Sequence, residues 1–131
     1  MSITNRYYRD TDAVIIVYDC SAEESFHTIE KWYGEVHTYL AHELDDEMPV
    51  VLVANKKDMI HEVSSTEIVN FRAAQELAAN LGMFACVETS AKTGDGITEL
   101  FEKIAKELLR SKGPKSAGRV DKIQRKKGKC C

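Results

Sequence analysis

The chain alternates between short apolar runs and longer segments in which apolar residues recur every three or four positions. The runs at 13–19 (AVIIVYD), 50–54 (VVLVA) and 84–88 (FACVE) are typical of strands buried on both faces. The recurring positions predict three amphipathic helices, whose inward faces comprise Phe26, Ile29, Tyr33, Val36 and Leu40; Phe71, Ala74, Leu77, Ala78 and Leu81; and Ile97, Leu100, Phe101, Ile104 and Leu108. Three strands alternating with three such helices predict an α/β fold with a parallel sheet.

Local signals predict where the helices begin and end. Ser21 followed by Glu24 has the spacing of a capping box at the start of the first helix, and the acidic stretch 42–49 ends it. The second helix is expected around 66–81, with Gly82 placed for a C-terminal stop. From Ser111 onward no apolar period remains, which predicts a globular part at 1–110 and a flexible basic tail at 111–131.

The net charge of -3 conceals a division of charge along the chain. Residues 1–110 contain 10 Lys and Arg against 20 Asp and Glu, whereas residues 111–131 contain 8 Lys and Arg and a single acid, Asp121. A basic tail on an acidic body suggests an anionic partner, and a membrane surface is one candidate. No run is long enough to span a membrane and the N-terminus is unlike a signal peptide, so the body is expected in the cytoplasm.

Cysteine and histidine spacing predicts neither a disulfide framework nor a metal site. Cys20 and Cys86 lie in or beside apolar runs, and Cys130 and Cys131 are the last two residues, so reduced thiols are expected. The histidines are scattered without ligand spacing, at His27, His37, His42 and His61.

Two polar loops follow the second and third predicted strands, and ligands of parallel α/β sheets bind at such carboxyl ends. In the first loop, the Asp58 carboxylate can accept the adjacent N1–H and N2–H donors of guanine, a pair that adenine does not present. Lys56 can lay its aliphatic stem along a base, and Asn55 can tie the loop to its neighbours through its amide. The alternative for these residues alone is an ordinary polar turn.

The second loop, Glu88-Thr-Ser-Ala-Lys92, has small residues at Ser90 and Ala91 that let backbone N–H groups approach guanine O6. Lys92 can cover the other face of the base. An ordinary strand-to-helix loop is the alternative here. If both loops face one ligand, the two together predict a guanine pocket more strongly than either loop does alone.

The segments RYYRDTDAVIIVYD, VANKKD and CVETSAK, in this order, resemble a small GTPase of the Ras superfamily, and YYR with the terminal Cys-Cys is similar to the Rab branch. The resemblance covers essentially the whole chain. It implies GTP or GDP as ligand, with guanine contacts from Asn55, Lys56, Asp58, Ser90, Ala91 and Lys92. Tyr7 and Tyr8 would fall near the end of the family's second switch helix, or serve ordinary packing.

The chain departs from the family pattern in its N-terminal part. A complete member begins with a strand and a GxxxxGK[ST] loop, followed by a switch threonine and a DxxG segment that manage phosphates, magnesium and water. None of these is present, and 113–120 only imitates the glycine spacing. We therefore expect a partial GTPase fold that lacks the first strands and the P-loop, from a downstream start, an alternative transcript or an incomplete gene model.

This departure limits the expected chemistry. No catalytic residue is assigned and hydrolysis is expected to be negligible, because phosphoryl transfer depends on positioning phosphate, magnesium and water. Mg²⁺ is implied for full-length relatives, and its ligands are absent from this sequence. The hypothesis is that weak guanine recognition survives. The 13–19 strand would also keep an unpaired apolar edge, which predicts marginal stability or aggregation.

The terminal Cys130-Cys131 pair resembles the Rab signal for two geranylgeranyl groups, preceded by the basic residues Arg125, Lys126, Lys127 and Lys129. The resemblance implies that the partners are the prenylation machinery, the membrane-extraction machinery and effectors, and that nucleic acid is not a partner. It also implies a location on the cytosolic face of intracellular membranes. Full-length members of the Rab branch act as switches in vesicle traffic. Two rivals remain open: a non-enzymatic prenylated interaction fragment without a nucleotide cycle, and an unrelated α/β binding domain.

Overall fold

A computed structural model of the chain describes residues 10–40, 48–62, 66 and 68–112. Three parallel strands form its sheet in the order β1 (Val14–Asp19), β2 (Val50–Asn55) and β3 (Ala85–Glu88). The register pairs Asp19 with Asn55 and Ala54 with Glu88, so the strands end at one edge of the sheet. The predicted parallel α/β architecture is therefore confirmed.

The helices alternate with the strands, with one difference from the predicted number. They are α1 (Glu23–His27), α2 (Ile29–Leu40), α3 (Phe71–Asn80) and α4 (Ile97–Lys112), and a short 3₁₀ turn covers Lys57–Met59. The first predicted helix is divided in two at Thr28, whose hydroxyl donates to the Ser25 carbonyl at 2.7 Å. A side chain that competes for a backbone acceptor accompanies this break.

The predicted capping box at Ser21 and Glu24 does not form. Ala22 occupies the N-cap position without a side-chain bond, while the Ser21 hydroxyl donates to Asp19 Oδ1 at 2.6 Å. The Ser25 hydroxyl donates to the Ala22 carbonyl at 2.7 Å and accepts the Asp19 N–H at 2.9 Å. The carboxylate of Asp19 at the end of β1 therefore holds the Ser21 hydroxyl that the capping box would require.

The second predicted helix begins later than expected and ends where expected. The described residues 68–70 are not helical: the Val69 N–H donates to the Cys20 carbonyl at 3.0 Å, and Asn70 caps the helix by accepting the Arg72 N–H. At the other end, Gly82 adopts a φ of 75° and the Met83 N–H donates to the Ala78 carbonyl at 2.9 Å. This is the glycine stop that the sequence predicted.

Helices cover both faces of the sheet. Strand residues Ile16, Tyr18, Leu52 and Ala54 lie in one core cluster, which α1, α2 and α3 complete. Val51 and Val53 point to the other face, where they pack against α4 through Leu100, Ile104 and Leu108. The predicted inward stripes largely hold, but Phe101 is wrong, because 36% of it is exposed. No described helix is long and apolar enough to cross a bilayer.

Both outer strands of the sheet, β1 and β3, pair with β2 alone within the described residues, and the β1 edge is the one that the sequence predicted to be open. β1 pairs with β2 alone, and Val17 is 56% exposed although its neighbours Ile16 and Tyr18 are buried. The expected unpaired apolar edge is thus present in the described part of the chain. Residues 42–47 of the acidic stretch, the Tyr7–Tyr8 pair and the tail with Cys130 and Cys131 lie outside the described residues.

Candidate functional site

The two predicted loops meet at the carboxyl edge of the sheet. The Thr89 N–H, directly after β3, donates to the Ala54 carbonyl at 2.8 Å, and the Lys57 N–H donates to the Thr89 carbonyl at 3.1 Å. These two bonds extend the strand pairing into the loops. The loop after β2 (55–59) and the loop after β3 (89–96) are therefore neighbours over one surface.

Asn55 joins the two loops through its side chain. Its Oδ1 accepts a hydrogen bond from the Thr89 hydroxyl at 3.1 Å and another from the Ala91 N–H at 3.0 Å. Thr89 is buried, with 1% of its surface exposed. The side chain of Asn55 therefore bridges its own loop and the next one.

Asp58 and Ser90 form the second link between the loops. The Ser90 hydroxyl donates to Asp58 Oδ1 at 2.7 Å and accepts the Thr93 N–H at 3.2 Å. Ser90 is 1% exposed, and its own N–H donates to the Asp95 carbonyl at 2.9 Å. The buried Ser90 hydroxyl thus binds Oδ1 of Asp58, and this bond orients the whole carboxylate, including Oδ2.

Lys56 is held by a residue that the sequence interpretation did not select. Its backbone adopts a left-handed φ of 65°, and its Nζ lies 2.9 Å from Asp19 Oδ2 at the end of β1. Burial raises the pKa of the Asp19 carboxyl, but hydrogen bonds from Ser21 and Lys56 together outweigh it, so the net pKa is lowered. The Lys56 pKa is raised by its hydrogen bond to Asp19 and by that carboxylate's charge.

A further ion pair joins the loops on their exposed side. Lys57 Nζ lies 3.2 Å from Asp95 Oδ2, and the hydrogen bond and charge of that carboxylate raise the Lys57 pKa. Ala91 and Lys92 lie exposed in the turn that follows β3. Within the described part of the chain, Lys92 takes no part in the hydrogen-bonded group formed by Asn55, Asp58, Ser90 and Ala91.

Gly96 allows the end of the loop after β3 to pass close to the end of β3 itself. Gly96 adopts a φ of 77°, and a Cβ at this position would overlap the Glu88 carbonyl oxygen. Close approach of this kind requires a residue without a side chain. Gly96 therefore holds the beginning of α4 against the end of β3, beside Thr89 and Ser90.

The structure adds Asp19, Thr89 and Asp95 to the residues predicted for this site. Thr89 lies in the predicted second loop and Asp95 follows that loop, but neither was assigned a role from the sequence. Asp19 ends β1 in the predicted run AVIIVYD. Because the carboxyl ends of parallel strands meet at one edge of the sheet, a residue at this position is expected near the other two loops. Its position at a strand end was therefore a signal that the sequence already contained.

The two described cysteines are free thiols, as expected. Cys20 is buried and Cys86 is half-buried. Burial raises the pKa of Cys86 to about 11, with an added effect of the Glu88 charge, and burial also raises the pKa of Cys20. Thiols with raised pKa values and little exposure are poor nucleophiles at neutral pH.

Comparison with known proteins identifies relatives of this chain. The family model described as Ras family matches residues 1–110. Human Ras-related protein Rab-26 is 37% identical over 107 residues, which are 82% of this chain and 38% of that protein. Rab-1D of Dictyostelium discoideum is 32% identical over 107 residues (82% and 48%), and human Rab-37 is 33% identical over 136 residues (99% and 57%). The chain thus spans less than two thirds of the length of each.

Proposed function

The chain belongs to the Ras family, in its Rab-type branch of small GTPases, and we propose that its two loops recognise the guanine base of GTP or GDP. The observation that carries this proposal is the orientation of Asp58. Its Oδ1 is held by the buried Ser90 hydroxyl at 2.7 Å, which leaves Oδ2 and the second lone pair of Oδ1 for a ligand. A carboxylate fixed in this way suits two adjacent N–H donors.

The other loop residues supply the walls of the proposed pocket. Lys56 is anchored at its Nζ by Asp19, so its aliphatic stem is available to lie along one face of the base. Lys92 is exposed in the facing turn and is proposed for the other face. The Ala91 N–H already donates to Asn55 Oδ1, so acceptance by guanine O6 requires this bond to be shared or replaced.

The wider role proposed for the protein follows from its family. Full-length Rab-type relatives are expected to act as guanine-nucleotide switches in vesicle-mediated membrane traffic, with Mg²⁺ on the phosphates and effectors as partners. For this chain we propose base recognition through Asp58 and its neighbours, and attachment to the cytosolic face of membranes through prenylated Cys130 and Cys131. Two lipid chains are what stable anchoring requires.

Equilibrium binding tests the base pocket. The full chain is titrated with fluorescent GDP in the presence of Mg²⁺, with fluorescent ADP as the control ligand. We expect selective binding of GDP. Asp58→Asn should shift the preference toward xanthosine diphosphate by about tenfold or more, since xanthine replaces a donor by a carbonyl and hydrogen bonds to charged groups are strong.

Glu62→Gln provides the matched control, because Glu62 is an exposed carboxylate in the segment directly after the same loop. It should leave the GDP preference unchanged. Equal binding of GDP and ADP by the parent chain, or an unchanged base preference in Asp58→Asn, would contradict the pocket assignment. A folded chain that binds neither nucleotide would favour the alternative of a prenylated interaction fragment.

Prenylation is tested separately. Incubation of the full chain with Rab prenylation machinery and geranylgeranyl diphosphate should add two lipid groups, detected by intact-mass measurement. The double variant Cys130→Ser/Cys131→Ser should accept none, whereas Cys86→Ser should accept two, because Cys86 is half-buried with a raised pKa. No lipid addition to the parent chain would remove this part of the proposal.

A further inference from the structure

A groove away from the nucleotide site runs between the α1–α2 region and α3. It has a volume of about 420 Å³. Phe26, Ala73 and Leu77 form its apolar wall, and Glu30, Glu76 and Asn80 lie among its polar residues. Phe26 and Leu77 also pack against the core, so this wall is fixed by the fold. The groove therefore combines a small apolar wall, packed against the core, with two carboxylates.

The carboxylates of this groove are not fully neutralised. Arg72 Nε lies 3.6 Å from Glu76 Oε1, and both side chains are largely exposed. His27 also lines the groove, and its Nε2 lies 3.4 Å from Glu23 Oε1. Its partner is therefore Glu23, which is not a lining residue of the groove. Among the described residues, no cationic side chain pairs with Glu30. The groove therefore suits a cationic segment that also carries apolar side chains.

The chain itself contains such a segment. Residues 119–129 (RVDKIQRKKGK), here called the basic segment, combine the apolar Val120 and Ile123 with six Lys and Arg residues and only one acid. The globular part carries the opposite charge, since residues 1–110 contain twice as many acids as bases. Charge complementarity thus favours contact between the basic segment and the globular part at low salt.

The connecting length is sufficient. α4 ends at Lys112, and the 11 residues from there to Ile123 span up to about 36 Å when extended. This is about the diameter of a small domain. α4 lies on the opposite face of the sheet from α3, so the basic segment must pass around an edge of the sheet. The sheet has three strands, spaced about 4.8 Å apart, so the path around its edge is of the same order as this reach.

We propose that the groove between α1–α2 and α3 is an intramolecular docking site for the basic segment 119–129. Val120 and Ile123 contact the apolar wall, and the flanking Lys and Arg side chains pair with Glu30 and Glu76. A docked basic segment cannot at the same time lie on anionic lipid, so the globular part and the membrane compete for it. This docking requires neither nucleotide nor lipidation, and its test is therefore independent of the proposed function.

Zero-length carbodiimide cross-linking tests the contact directly in the unlipidated full chain. Amide bonds between a tail lysine and a groove carboxylate should appear by peptide mass mapping, with Lys122, Lys126 or Lys127 joined to Glu30 or Glu76. A mixture of isotopically light and heavy chains distinguishes contacts within one chain from contacts between chains. Cross-links that join light to heavy chains would overturn the intramolecular assignment.

A pair of variants on one helix provides the control. Ala73 and Gln75 are both exposed on α3, but only Ala73 lines the groove. Ala73→Arg places a cation against the apolar wall and should accelerate tryptic cleavage within 119–129 by about three- to tenfold at low salt, the range expected for losing two exposed ion pairs. Gln75→Arg should leave the rate unchanged.

Vesicle binding tests the competition. Ala73→Arg should bind vesicles of phosphatidylcholine and phosphatidylserine about three- to tenfold more tightly than the parent chain at low salt, because the released tail attracts anionic lipid. Binding to pure phosphatidylcholine should not change. Equal cleavage rates and equal anionic-vesicle affinity for the parent chain, Ala73→Arg and Gln75→Arg would overturn the proposal.

Discussion

The Ser90 hydroxyl donates to Asp58 Oδ1 at 2.7 Å across the two loops at the carboxyl edge of the sheet. Ser90 is buried, and the same hydroxyl accepts the Thr93 N–H at 3.2 Å. One side chain therefore fixes the direction of the Asp58 carboxylate and the shape of the turn that follows β3. The base-selecting geometry proposed for Asp58 depends on a residue in the other loop.

Ser90→Ala should weaken guanine-nucleotide binding without changing the base preference. Removal of the hydroxyl frees the Asp58 carboxylate to rotate and leaves the Thr93 N–H without its acceptor, so we expect affinity for GDP to fall about three- to tenfold and the free energy of unfolding to fall by about 1–2 kcal/mol. Fluorescent GDP titration and urea unfolding measure the two effects. Thr98→Ala, at an exposed position of α4, is the control and should change neither.

Asp19 provides a prediction for pH dependence. Its pKa is lowered from the ordinary value of 3.8, because hydrogen bonds from Ser21 and Lys56 outweigh the effect of burial. A carboxyl group with a lower pKa in the folded chain stabilises the fold above its unfolded pKa, and this stabilisation is lost as pH falls through the folded pKa. The Asp19–Lys56 contribution is therefore present at neutral pH and is lost progressively as pH falls below about 4.

Asp19→Asn should consequently lower the urea midpoint slightly at neutral pH, and the difference from the parent chain should shrink as pH falls below about 4. Urea unfolding at a series of pH values measures this difference. Glu102→Gln, an exposed carboxylate on α4, serves as the comparison. A gap between the parent chain and Asp19→Asn that widens in acid would contradict the assignment.

The strands and the inward stripes were predictable because they depend on local composition and period. Residues 13–19 and 50–54 read as strands and form β1 and β2, and Gly82 ends α3 with the expected positive φ. The predicted burial on both faces holds for β2 but is wrong for β1, where Val17 is 56% exposed. The fold class and the meeting of the two loops followed from these elements and from the geometry of parallel sheets. Relatives then supported the family assignment.

The features that the sequence did not predict depend on contacts between distant segments. The start of α3 is delayed because the Val69 N–H donates to the Cys20 carbonyl, and the capping box fails because Asp19 binds the Ser21 hydroxyl. The pairing of Lys56 with Asp19 likewise joins two strand ends. Local signals cannot rank such partners, since the competing groups become neighbours only after the sheet has formed.

Gly96 should tolerate no side chain, in contrast to Gly94. Both residues have a positive φ, of 77° and 84°, but only at Gly96 would a Cβ overlap a backbone atom, the Glu88 carbonyl oxygen. Gly94→Ala should cost about 1–2 kcal/mol of unfolding free energy through its backbone conformation alone. Gly96→Ala should cost about 3 kcal/mol or more, because the end of β3 must also shift.

Urea unfolding measures the free energy of unfolding of both glycine variants. Because the positive φ is similar at the two positions, the difference between the variants reports the cost of the overlap with the Glu88 carbonyl oxygen. GDP binding provides a second readout, because movement of β3 displaces Thr89 and Ser90. We expect Gly96→Ala to lose nucleotide affinity and Gly94→Ala to retain most of it. Equal destabilisation by the two substitutions would show that the close approach to Glu88 does not constrain the loop.

The open edge of β1 should make the isolated 131-residue chain prone to association. β1 pairs with β2 alone among the described residues, and Val17 is 56% exposed on this β-branched strand. Open edges of this kind pair with other chains, and a lysine on an edge strand opposes such pairing. Val17→Lys should therefore raise the concentration at which light scattering and sedimentation detect oligomers. Leu109→Lys is the control, because Leu109 is 45% exposed but lies on α4 and not on an edge strand, so its substitution should leave association unchanged. Equal reduction of association by both variants would assign the effect to general surface hydrophobicity, whereas a parent chain that stays monomeric at all concentrations would show that the β1 edge is protected.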